Sequence, residues 1–245
     1  MTEHDMEQTP MQGSRVNQMI ARSGLCSRRE ADQWIAAGHV TVRGRPAKPG
    51  DRVASSDEIT VDGRPIPTPD PPAILALNKP VGIICTTDRR VNDNVIDFLG
   101  HHGRIFPIGR LDRDSRGLLL LTSDGSIVNP ILRAANAHEK EYKVRVDRPY
   151  DDDFLQAMAA GVPILDTRTL PCRVTRTGQD AFRIVLRQGL NRQIRRMCEQ
   201  LGYRVADLER IRIMNITLGN LKPGQVRELT PKEIRDLKEL LDRKG

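Results

Sequence analysis

Apolar positions in the first sixty residues change period from helical to alternating. Val16, Met19 and Ile20 recur at helical spacing, and Gly24 stops the run. Ser27-Arg28-Arg29-Glu30 fits a capping box, in which Ser27 caps the first turn and Glu30 reaches back. The helix that follows is expected to bury Ala31, Trp34 and Ile35 and to end at Gly38. His39 to Val42 alternates like a short strand. Gly44-Arg45-Pro46 turns, and Ile59-Thr60-Val61 reads as a second strand closed by Asp62-Gly63. The pattern predicts a compact module over 14–62, preceded by a polar tail, 1–13, expected to be disordered.

Residues 63–73 contain five prolines, which cannot donate to a ladder and favour an extended spacer; a domain boundary is expected there. A second domain then runs over 74–245. Ile74 to Asn78 and Val81 to Thr86 read as strands broken by Lys79-Pro80, and Tyr142–Val146, Cys172–Thr175 and Phe182–Leu186 as further strands. Helices are expected over 151–160, 191–201 and 231–243. Ile194, Met197, Cys198 and Leu201 form the core stripe of the second, and Thr230, Pro231 and Glu233 form the cap of the third. Strands and helices mix without a βαβ rhythm, which favours an α+β fold around a mixed sheet.

Charge sharpens this picture. The formal net charge is +7. Residues 14–48 hold seven Lys/Arg against two acids, and 183–212 hold eight Arg against three. Two basic blocks favour a polyanion, most simply nucleic acid, because such side chains contact phosphates and release counterions. Cys26, Cys85, Cys172 and Cys198 are scattered without zinc or disulfide spacing. His101 and His102 are adjacent and lack ligand spacing, so no metal is expected. No cofactor motif is found. The polar, acidic start does not read as a signal peptide, and no apolar run approaches the roughly 20 residues a bilayer needs. A cytoplasmic protein, with nothing suggesting more than a monomer, is expected.

The densest chemical signal is Gly109-Arg110-Leu111-Asp112-Arg113-Asp114-Ser115-Arg116-Gly117, an acid in a glycine-bounded segment just before the run Leu118 to Leu121. Gly109 to Asp112 resembles the active-site segment of RNA pseudouridine synthases. Three further segments agree: Leu77 to Gly82 resembles the family's first motif, Lys140 to Val144 its tyrosine strand, and Gly189 to Met197 its late arginine helix. Residues 14–62 resemble the small RNA-binding domain first described in a small-subunit ribosomal protein. The combination is similar to the RsuA-type branch. Ile131 to Ala134 and His138 to Tyr142 are most like a member that acts on 23S rRNA. The resemblance spans roughly residues 14–240. It implies a catalytic domain on a mixed, largely antiparallel sheet with flanking helices.

The resemblance also implies a reaction. Uracil is detached from ribose, turned and rejoined through carbon five, with no redox cofactor. Breaking the glycosidic bond puts positive charge on the sugar, which a carboxylate can stabilise or trap. Asp112 is the implied catalyst. The residues leave open whether it attacks the sugar, attacks the base or assists loss of the 2′ proton. Arg110 is implied as the side chain that fills the gap left by a flipped nucleotide. Tyr142 is implied as a stacking and proton-accepting group, and Arg195 as the base paired with the aspartate. Leu186 is expected to wall the pocket, and Asp114 to be structural. RNA anchors are expected at Arg15, Arg22, Arg28, Arg29, Arg43 and Arg45 in the first domain, and at Lys79, Arg192 and Arg196 in the second. The implied partner is 23S rRNA, with tRNA or an assembling subunit left open. Two rivals stand beside this reading: a non-catalytic ribosome-assembly factor, and a glycosidase or nuclease. The last wants a second opposed acid or a metal cluster that the motifs do not supply.

Overall fold

A computed structural model describes residues 13–68, 73–100, 105–125, 127–132 and 137–242. The tail read as disordered lies, apart from Gly13, outside them, as do His101 and His102. The chain divides into two compact units, Met1–Pro71 and Pro72–Gly245.

In the first unit, β1 (Ser14–Arg15) leads into α1 (Val16–Arg22) and α2 (Arg28–Ala36). The capping box is present: the Ser27 amide donates to Glu30 at 2.6 Å, and the Glu30 amide donates to the Ser27 hydroxyl at 3.1 Å. The strands β2 (Val40–Val42), β3 (Arg45–Pro46), β5 (Ile59–Val61) and β6 (Arg64–Pro65) form a sheet in the order β3-β2-β5-β6, while β4 (Arg52–Val53) pairs with β1. Val16, Ile20, Ala31, Ile35, Val40 and Ile59 share one core. β6 takes the first residues of the proline-rich segment into this sheet. As an edge strand β6 tolerates Pro65, which cannot donate to a ladder.

The second unit is built on nine strands. Their main path is β13 (Arg173–Arg176), β14 (Ala181–Leu186), β10 (Lys140–Val146), β15 (Val205–Ile213), β9 (Arg116–Thr122), β7 (Ile74–Lys79) and β17 (Val226–Glu228). β8 (Phe106–Ile108) also pairs with β9, and β16 (Ile216–Thr217) with β15. Every pairing is antiparallel except β15 with β9, so the sheet is mixed and largely antiparallel, as the motifs implied. A short hairpin, β11 (Pro163–Ile164) with β12 (Thr167–Arg168), stands apart. The helices are α3 (Val95–Leu99), α4 (Val128–Leu132), α5 (Asp152–Ala160), α6 (Gln193–Gln200) and α7 (Pro231–Asp242).

Burial explains the apolar run Leu118–Leu121. Leu118 and Leu120 belong to the core shared with α7, whereas Leu119 and Leu121 belong to the core on the other face with Val95 and Ile96. A strand covered on both faces reads as continuous rather than alternating. The parallel seam has its own requirement. Gly117 has φ +103°, and a Cβ there would lie 2.7 Å from the Arg210 amide nitrogen and closer still to its carbonyl oxygen. Only glycine lets these backbones approach so closely.

Val81–Thr86 is not a strand. Gly82 turns the chain at φ +98°, and only an isolated bridge joins Ile84 to Asn94. The apolar residues there serve the core from a loop, with Cys85 buried and Ile83 packed against the same cluster.

The box at Thr230 is present and also ties α7 to an edge strand. Glu233 accepts from the Thr230 amide at 2.8 Å and from Arg227 at 2.7 and 2.8 Å. The Arg227 hydrogen bond is the main cause that takes its carboxyl from the ordinary 4.5 down to about 2. A depressed carboxylate pKa gives stability that is complete above the unfolded value and lost as pH falls through the folded one. Glu233→Gln is therefore expected to lower stability by about 2 kcal/mol at pH 7 and to flatten the loss between pH 4.5 and 2, as read by urea titration across that window.

Candidate active site

The segment after β8 is held by its main chain. Leu111 is buried and its amide donates to the Cys85 sulfur at 3.4 Å. The Ser115 amide donates to the Asp112 carbonyl at 3.1 Å, closing a turn. The Arg113 carbonyl accepts from the Gly82 amide at 2.8 Å, and the Arg113 guanidinium donates back to the Gly82 carbonyl at 3.1 Å and to Asp93 at 3.0 Å. Arg195 donates to the Asp114 carbonyl at 2.9 Å and to the Ser115 hydroxyl at 3.3 Å. Arg210 donates to the Arg110 carbonyl at 3.3 Å. The carbonyls of Arg110, Asp112, Arg113 and Asp114 are thus all engaged, which fixes the turn from below.

Arg110, Asp112, Tyr142, Leu186 and Arg192 line one cleft of about 390 Å³, within the usual range for ligand sites. Tyr142 and Lys140 lie on the face of β10 that also buries Val144 and Val146, so the core-facing stripe turns polar where the strand enters the cleft. The neighbouring strand meets it through a bulge. Tyr142 pairs with Arg210 but Glu141 with Arg212, leaving Ile211 as the extra residue. The bulge puts Arg210 and Ile213 on the cleft side and turns Arg212 to Glu139 and Glu141, each at 3.0 Å. Leu186, opposite Lys140, is 3% exposed and forms apolar wall. The exposed Arg110 guanidinium has no hydrogen bond or ion pair among the described residues. The same holds for the Tyr142 hydroxyl.

Two expectations are corrected. Arg195 does not pair with Asp112. Its guanidinium is buried beneath the turn, and its carboxylate contact is Asp114, at 3.3 Å. Arg192, three residues earlier and just before the helix, lies 3.8 Å from Asp112 and 3.1 Å from Asp114. Arg192 is the N-cap of α6, in a left-handed conformation and exposed, whereas Arg195 lies inside the helix and is buried. Burial opposes ionisation of Asp114. The hydrogen bond from Arg192 and the charges of Arg195 and Arg192 outweigh it and hold the carboxyl below the ordinary range. Asp114, expected to be structural, is thus engaged by both arginines.

Lys79 is not available to RNA. It is fully buried, and its ammonium donates to the carbonyls of Pro80 and Ile83, each at 2.8 Å. Burial lowers its pKa, while the nearby Cys85, Asp112 and Asp114 oppose the fall. Of the other basic candidates, Arg196 is folded back onto Asn191 at 3.1 and 3.3 Å. Arg43 is clamped on Asp57 at 2.6 and 2.8 Å, so its charge is already balanced. Arg15, Arg28, Arg29 and Arg45 are exposed and Arg22 is half-buried. Asn78 donates to the Leu221 carbonyl at 2.7 Å and Gln193 accepts from the Leu190 amide at 3.1 Å, both fixing loops. Among the described residues, no three His, Cys, Asp or Glu side chains gather as metal ligands. Sequence reasoning missed Lys140 and Arg210. The alternation of Lys140 with Tyr142 was a usable signal for the first, but the bulge hid the second.

Residues 73–200 match the RNA pseudouridylate synthase family, and residues 14–59 match the S4 domain. The chain belongs to that synthase family. A solved pseudouridylate synthase superposes with a TM-score of 0.66 at 28% identity, covering 91% of this chain and 99% of that one. Among curated relatives, the chain is similar to the dual-specificity RNA pseudouridine synthase RluF of Salmonella typhi, 52% identical over 231 residues, covering 94% of this chain and 80% of the relative. The RluF of Escherichia coli strain K12 is 50% identical over 235 residues, 95% of this chain and 81% of that one. The ribosomal large subunit pseudouridine synthase B of Bacillus subtilis strain 168 is 34% identical over 237 residues, 93% of this chain and 97% of that one.

Lys79→Met removes the donor from two carbonyls and is expected to cost about 1–3 kcal/mol in chemical denaturation. The salt slope of RNA binding should stay unchanged. A slope shallower by about one charge would instead make Lys79 a phosphate contact.

Proposed function

We propose that this protein isomerises one uridine of large-subunit rRNA to pseudouridine, with Asp112 as the reacting acid. The observation that carries the reading is the cleft itself. It brings one carboxylate, one unengaged tyrosine hydroxyl and an apolar wall together, under a turn fixed by its carbonyls. The names of the relatives, which include ribosomal large-subunit synthases, support the rRNA substrate. Those called dual-specificity support asking whether tRNA is a second one.

In the proposed reaction the target nucleotide leaves its stack and enters the cleft. Arg110, exposed and without an ion-pair partner among the described residues, takes the vacated place, since a planar guanidinium stacks as well as pairs. The Tyr142 ring packs on the base, and its hydroxyl stands ready to take a proton. Arg192, 3.8 Å from Asp112, sets a positive charge beside the acid, and Arg195 positions the turn from beneath. Leu186 keeps water from the detached base. The basic residues Arg15, Arg22, Arg28, Arg29 and Arg45 of the first unit hold the RNA in position without reading its sequence.

We take the working form to be a monomer. Among the described residues no helix is long and apolar enough to cross a membrane. We take the site of action to be the cytoplasm. We take 14–62 and 74–245 as the two domains, with β6 (Arg64–Pro65) kept on the first in any truncation.

Mapping pseudouridines across rRNA and tRNA in a strain lacking this gene tests the reading. At least one large-subunit rRNA site should vanish, return with the wild-type gene, and stay absent with Asp112→Asn. With purified protein, Asp112→Asn should lower turnover by at least about 10³-fold. An unchanged map would leave an assembly factor as the better account.

A further inference from the structure

Besides the exposed Arg110, two cations in the cleft have no carboxylate to answer them among the described residues. Lys140 and Arg210 both line it. Lys140 stands at the cleft end of β10, with Leu186 opposite on one neighbouring strand and Ile213 on the other. Among the described residues its ammonium reaches only the His138 carbonyl, at 3.5 Å. Burial, and then the charge of Arg210, push its pKa below the ordinary lysine value. Arg210 is 3% exposed. Its Nε donates to the Leu118 carbonyl at 2.7 Å and its Nη1 to the Arg110 carbonyl at 3.3 Å, but its Nη2 is buried without a partner among the described residues.

Elsewhere on this sheet, partly buried cations are matched. Arg116 pairs with Asp207 and Glu209, and Arg212 with Glu139 and Glu141. Asp112, the acid of the cleft, has its cation in Arg192. Two like charges in a half-dry pocket, one with an unused donor, disfavour the empty cleft and favour an incoming anion. A nucleotide cannot turn out of its stack without swinging its backbone along, so a phosphate arrives with the base.

We propose that Lys140 and Arg210 form a binding subsite for a backbone phosphate of the RNA, the one flanking the everted uridine. Lys140 makes the contact, and Arg210 supplies a fixed charge behind it while holding the Arg110 carbonyl. The plain alternative is a lysine whose stem covers apolar surface while its head finds water. That alternative predicts no link between residue 140 and any particular phosphate. The proposal rests on the reading that an everted nucleotide occupies this cleft. Its test reads binding affinity rather than turnover, so it can fail while the isomerase reading stands.

The probe is a synthetic RNA hairpin carrying the mapped uridine, made with its natural phosphates or with a neutral methylphosphonate on the 5′ or 3′ side of that uridine. The full-length protein is titrated against each by fluorescence anisotropy. Lys140→Met should weaken binding to natural RNA about tenfold and make the salt slope shallower by about one, and Lys140→Arg should restore most of the loss. One methylphosphonate should weaken the wild type by a similar factor and add less than about twofold to Lys140→Met. Independent, multiplying losses for both methylphosphonates would overturn the subsite. So would a wild type that binds both neutralised hairpins as tightly as the natural one, a result that does not depend on how any variant folds.

Discussion

Two arginines hold the turn that carries Asp112 by its own carbonyl oxygens, and the arrangement of the cleft depends on this. Arg195 comes from a helix and Arg210 from a strand, while Arg113, within the turn, reaches out to the Gly82 carbonyl. A loop fixed through its main chain leaves the Arg110 and Asp112 side chains for the ligand. Charged donors on neutral carbonyls are strong hydrogen bonds, and the deeper two are shielded from water by burial. The site is therefore shaped before any RNA arrives, a condition under which one carboxylate can act without first reorganising its surroundings.

Two backbone irregularities make that clamp possible. Gly117 lets β9 and β15 run so close that Arg210 crosses beneath the turn. The bulge at Ile211 then sets which side chains face the cleft. Without it, plain alternation would place Arg212, not Ile213, beside Arg210 on that face. The sheet carries both roles at once. One end of β10 anchors Val144 and Val146 in the core, and the other presents Tyr142 and Lys140.

The parts of this architecture governed by local rules were legible in the residues. The caps at Ser27 and Thr230, the helix over Gln193–Gln200 and the alternation around Tyr142 follow from spacing alone, and the structure has each of them. Asp112 and Leu186 were found through motif resemblance, and both line the cleft. What escaped depends on tertiary choices. Lys79 looked like a strand-end lysine because its burial comes from a loop folding over it. The preference of Arg195 for Asp114 comes from its burial beneath the turn, which sequence spacing does not encode. β15 went unread because its charged residues are matched across strands, and its bulge disrupts the period that would reveal Arg210.

The most direct measurement of the central claim is a crystal structure of the Asp112→Asn protein bound to its RNA hairpin. The account predicts one nucleotide out of the stack, its base against the Tyr142 ring, its sugar facing residue 112, and Arg110 in the gap. A target nucleotide still paired, or one lodged away from residue 112, would contradict it.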